Sequence, residues 1–136
     1  MDITPEIPAA RKYIDHYGDG GLRICGESYE GSVIVTPEQV RPWSVSVMAE
    51  LTVTSVADIF SADPPIALLL IGCGARIAQM PADVRVAVKA KAIFADAMDT
   101  GAACRTYNVL MAEERRVAVA LHPELGLLQL HVGRHV

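Results

Sequence analysis

Residues 66–72, IALLLIG, form an unbroken apolar run closed by Pro64-Pro65 on one side and by Gly72-Cys73-Gly74 on the other. A half-exposed strand would place a polar side chain at every second position, so this run fits a strand covered on both faces, at home in a parallel sheet. It is far too short to cross a bilayer, which takes about 20 apolar residues as a helix. A chain holding such a strand must build a layer on each side of it.

The residues that follow supply those layers. Pro81 is placed as the first residue of a helix, with Asp83 favourable in its first turn and Val84, Ala87 and Val88 forming an apolar stripe down to Lys91. IFADAM at 93–98 reads as the next strand, a second helix runs from about Gly101 to Glu114, and RVAVALH at 116–122 reads as a third strand. The second half therefore has β-α-β-α-β order with two right-handed crossovers.

In the first half, Gly18, Gly20, Gly21, Gly26 and Gly31 punctuate short apolar pieces such as LRIC and SVIVT, which predicts two or three antiparallel strands with a left-handed turn position at Gly26-Glu27. Pro37 and Pro42 limit Gln39 to Val47 to an edge strand anchored by Trp43. Thr54 can cap a short helix carrying Val56, Ile59 and Phe60. The expected fold class is α/β: a single three-layer domain around a mixed central sheet, N-terminal antiparallel hairpins first. Residues 1–12 read as an extended lead-in and 13–136 as the domain, with a further strand expected through Leu127 to Val132.

The 136 residues are 51% apolar, enough for one core without metal or disulfide support. Twelve basic against 16 acidic residues give a net charge of -4, which argues against nucleic acid as a partner. Cys25, Cys73 and Cys104 are widely spaced and form no C-x-x-C pair, so they read as reduced intracellular thiols, with no metal site and no cofactor expected. The first 20 residues lack the apolar stretch of a signal peptide, and no segment suits membrane insertion, so the expected location is cytoplasmic.

The densest polar chemistry lies in MDTGAACRTYNVLMAEERRVA, residues 98–118. Asp99 or Thr100 can cap the helix that follows, and Gly101 lets a backbone or a small anion approach its amino end. The loops after Gly72-Cys73-Gly74 and Met98 both leave carboxyl ends of strands, the edge where α/β sheets bind ligands. Gly72, Gly74, Asp99, Thr100, Arg105, Tyr107 and Asn108 are therefore the candidate ligand or partner site. A dinucleotide motif is not complete there, because Ile77 stands where the third glycine belongs. Helical spacing places Thr106 and Glu113 beside the apolar face, where Arg105, Arg115 or Arg116 can pair with a carboxylate; Thr106, Glu113 and Arg116 form the expected structural polar network. Cys73 and Cys104 can meet at the same edge, and His16, His122, His131 and His135 read as solvated or hydrogen-bonded.

GSVIV, LLLIGCGA and MDTGAACRTYNVLMAEERRVAVAL occur in that order and spacing, and through them the chain resembles a small α/β family over roughly Tyr17 to Pro123. The family includes the mitochondrial respiratory complex I (NADH dehydrogenase) assembly factor 3 and many bacterial proteins of unknown function. The resemblance implies a three-layer α/β domain and, by the mitochondrial member, a non-enzymatic binding or assembly role with protein partners that include respiratory complex components. It brings no catalytic residues. The alternative is a small-molecule anion-binding protein or enzyme at the sheet edge near Gly72 and Asp99, with Glu113 or Asp99 as base and Arg105 holding the substrate's charge.

Overall fold

The computed structural model describes residues 11–18, 21–74 and 78–122. Eight strands are found among them: β1 Ile14–Gly18, β2 Gly21–Ile24, β3 Glu27–Glu30, β4 Val33–Val35, β5 Val40–Pro42, β6 Leu68–Gly72, β7 Phe94–Met98 and β8 Val117–Leu121. The helices are α1 Ala57–Phe60, α2 Ala82–Ala90 and α3 Thr100–Ala112. Strands β1, β2 and β3 make an antiparallel meander, and the other five form a mixed sheet in the order β5-β4-β8-β6-β7. The chain is a mixed α/β fold, as its patterning predicts.

The apolar run forms β6, parallel to both β7 and β8, at the centre of the second half. Its side chains alternate between two cores. Leu69 and Ile71 join Ala118 and Ala120 of β8, Val84 and Val88 of α2, and Trp43, Leu51, Val56 and Ile59. Leu70 joins Val117, Val119 and Leu121 of β8, Ala103, Cys104, Tyr107 and Met111 of α3, and Ile14, Leu22 and Ile24 of the meander. Helices α2 and α3 thus cover opposite faces, which two crossovers of one hand running in opposite directions require.

Several local expectations shift by a residue or two. The β2-β3 turn falls at Cys25-Gly26, both at positive φ, one position before Gly26-Glu27. Pro81 precedes α2 with an extended ψ of 148°, as its cap rather than its first residue. Thr54 makes no capping bond; Thr52 and Ser55 instead exchange bonds, Ser55 N–H to Thr52 Oγ1 at 3.2 Å and Thr52 N–H to Ser55 Oγ at 3.0 Å. The single-turn lead into α1 is held by that reciprocal pair. Arg11 and Lys12 are tied to the core, Lys12 N–H donating to Pro37 O at 2.9 Å and the Arg11 guanidinium to Met111 O at 3.3 Å. The strand expected at 127–132 lies outside the described residues.

Candidate functional site

In the sheet order, β7 lies on one side of β6 and β8 on the other, so the chain reverses direction across the sheet after β7. The carboxyl ends of β6 and β8 flank the crevice such a reversal opens. Thr100, only 1% exposed, sits in it. Its hydroxyl donates to His122 O at 2.7 Å and accepts from Gly74 N–H at 2.8 Å, while its own N–H donates to Gly74 O at 2.9 Å. One side chain joins the ends of two parallel strands to the start of α3.

The glycines here serve that closeness. A Cβ on Gly72 would stand 2.7 Å from Leu121 Cδ2 and 3.1 Å from Thr100 Cα, and Gly74 holds φ +84°. Asp99 caps α3, accepting from Ala102 N–H at 2.9 Å. Over Gly101 lies the Tyr17 ring, within 3.0 Å of where a Cβ would be. Protein groups thus occupy the places a small anion was expected to take, and they do so through bonds the helix terminus needs.

The rest of the polar run faces the N-terminal strand. Asn108, 4% exposed, accepts from Ile14 N–H at 2.9 Å and donates to Ile14 O at 2.7 Å, so its amide acts as a short piece of strand. Tyr107 is fully buried and donates to Lys12 O at 2.8 Å; burial pushes its phenol well above the ordinary range. Arg105 is exposed and donates to the Tyr17 hydroxyl at 2.6 Å. Strand β1 needs these anchors because its register with β2 shifts between Ile14 and His16, leaving Asp15 as an extra residue. Asp15 is put to use as well, accepting from Arg23 Nε at 2.9 Å and from Gly26 N–H at 2.8 Å in the turn.

The expected Thr106, Glu113 and Arg116 network is not assembled. The buried stripe of α3 runs through Ala103, Cys104, Tyr107, Asn108 and Met111, so the neighbouring stripe turns outward: Thr106 is half-buried, Val109 is 58% exposed and Glu113 is exposed at the helix end. The two stripes lie one residue apart on the helix, and it is the other one that faces the core. Arg116 pairs instead with Glu38 and donates to Pro64 O at 2.8 Å, beside a cavity of about 280 Å³ where Arg41 also meets Asp58 at 2.7 Å. Glu113 stands at the opposite end of α3 from Gly72 and Asp99. Cys73 and Cys104 belong to cores on opposite faces of the sheet and do not meet, and burial raises the Cys73 thiol further from reactivity.

His122 departs from the solvated reading. It is 5% exposed, stacks on Trp43 with centroids 6.0 Å apart, and its buried Nε2 has no hydrogen-bond partner among the described residues. Burial lowers its pKa, against a smaller opposing pull from Glu50. The folded state holds the ring's proton less tightly than the unfolded chain, which takes one up below about pH 6.5. Stability is therefore expected to fall as pH drops below about 6.5, by at most ~1.4 kcal/mol per pH unit from this group. Urea melts between pH 7 and 5 check this, and His122→Phe should flatten the dependence; an unchanged slope would remove His122 as its source.

Residues 14–122 match the model of a family described as protein of unknown function (DUF498/DUF598). An uncharacterized protein of Rhodobacter capsulatus is 36% identical over 113 residues, 83% of this chain and 86% of its own. NADH dehydrogenase (ubiquinone) 1 alpha subcomplex assembly factor 3 of Danio rerio is 32% identical over 123 residues, 90% of this chain and 71% of that one. Among solved structures, a Bartonella henselae protein described as an outer membrane protein is 37% identical, with a TM-score of 0.77 over 84% of this chain and 96% of its own. Among the described residues no helix is long and apolar enough to cross a membrane.

Proposed function

The chain belongs to the DUF498/DUF598 family of proteins of unknown function, and from that premise we propose that it is a non-enzymatic binding protein. It takes part in assembling a respiratory NADH dehydrogenase in the cytoplasm of a bacterial cell. The similarity to an assembly factor across 90% of the chain carries this reading. The engagement of the polar run supports it, because Thr100, Tyr107 and Asn108 spend their hydrogen bonds on the chain itself. In this reading Gly72, Gly74, Asp99 and Thr100 shape the carboxyl end of the sheet, Tyr107 and Asn108 fasten the N-terminal strand beside it, and Arg105, exposed on α3, is the member of the group that reaches a partner.

Deletion of the gene in its native host tests the proposal. Membranes resolved on a native gel and stained for NADH dehydrogenase activity should show less full-size complex I, restored by the wild-type chain. Undiminished complex I in the deletion strain would contradict the assembly role.

A further inference from the structure

We propose that the groove between α2 and the outer edge of β7 receives an extended, acidic segment of a partner protein, which adds to the sheet beside β7. This deepens the protein-binding reading above and rests on it.

Strand β7 ends the five-stranded sheet and pairs with β6 alone among the described residues. A parallel ladder uses the main-chain groups of alternate residues. Phe94 N–H donates to Ala67 O and Met98 O accepts from Cys73 N–H, so the peptide groups of Ala95 and Ala97 point away from β6. Five residues in unbroken register, without proline or bulge, leave a straight edge of the kind that accepts another strand.

Beside this edge is a groove of about 490 Å³ lined by Met80, Val88, Ile93 and Ala95, with Val86 and Phe94 exposed at its margin by 69% and 64%. Arg85 and Lys89 also line it, and no acidic residue does. Arg85 donates once to Met80 O at 2.6 Å, and none of the ion pairs among the described residues uses either cation. In a chain of net charge -4, an apolar groove bordered by two cations is complementary to a strand that turns both apolar and acidic side chains toward α2. A second copy fits less well, because two-fold pairing of β7 edges would bring α2 beside its duplicate and set Arg85 and Lys89 against like charges. Residues 123–136 of the same chain offer one acid, Glu124, against Arg134.

Photo-crosslinking in the native host with the full chain tests the proposal. Benzoylphenylalanine is placed by Val86→benzoylphenylalanine, Phe94→benzoylphenylalanine and, as a control on the outer face of α3, Val109→benzoylphenylalanine. The expected result is that the first two positions, and not the third, capture the same stretch of another protein, one that carries both apolar and Asp or Glu residues on one strand face. Adding Arg85→Glu and Lys89→Glu should abolish that product while the thermal melt stays unchanged. Capture of residues 123–136, of a second copy, of a neutral or basic segment, or of nothing overturns the proposal, as does a product that survives charge reversal. The deletion strain separates the two readings. If the charge-reversed chain restores complex I, the groove proposal fails and the assembly role stands; if complex I never needed the chain but an acidic segment is captured, the assembly role fails and the groove stands.

Discussion

Replacing Asn108 with alanine is expected to lower the thermal midpoint by about 10 °C. The side chain is buried and bonds both main-chain groups of Ile14, 94 residues away. Alanine leaves an N–H and a C=O in an apolar layer with no partner, at ~1–3 kcal/mol each. Ile14 is fully buried under α3, so water reaches those groups only if β1 lifts away. Hydrogen exchange should therefore speed up first in residues 12–17, ahead of β6 and β8. Arg105→Ala provides the contrast: its bond to Tyr17 is at the surface, and its loss should cost no more than ~0.5 kcal/mol. Similar midpoints for the two variants would show that the N-terminal strand is held by something other than Asn108.

Thr100→Val is expected to cost ~2–4 kcal/mol. Valine keeps the shape and removes the hydroxyl, so Gly74 N–H and His122 O lose their common partner in a site sealed by Leu121 and Ala103. Thr100→Ser keeps the hydroxyl and gives up one methyl, at about 1 kcal/mol. The order wild type, serine, valine in denaturant midpoint is the signature of a hydroxyl that joins β6 to β8. If serine were as damaging as valine, packing rather than hydrogen bonding would hold that junction.

Both predictions concern residues whose type stood out in the sequence and whose purpose did not. The central strand was legible because six apolar residues between proline and glycine have few other places to go, and β8 because Val117, Val119 and Leu121 alternate with alanines between two cores. Asp99 was legible as a cap because capping is a local matter. Tyr107 and Asn108 were legible only as an unexplained excess of polarity: their partners are the main-chain groups of Lys12 and Ile14, and a bond to a distant backbone leaves no mark on the partner's side chain. The bulge at Asp15 that creates the need for Asn108 was hidden for the same reason. Glu113 was misplaced by a one-residue choice of helix stripe, which the exposed Val109 resolves.

Apart from the exposed Arg105, the polar run thus works inward as a clamp, and the outer edge of β7 and the cations of α2 lie open on the opposite layer. Endogenous-level co-purification from the native host tests the functional claim most directly, with the chain tagged at its own locus and the captured proteins quantified against an untagged strain. The expected result is enrichment of respiratory complex I subunits. Capture without any complex I subunit, from cells actively building that complex, would contradict it.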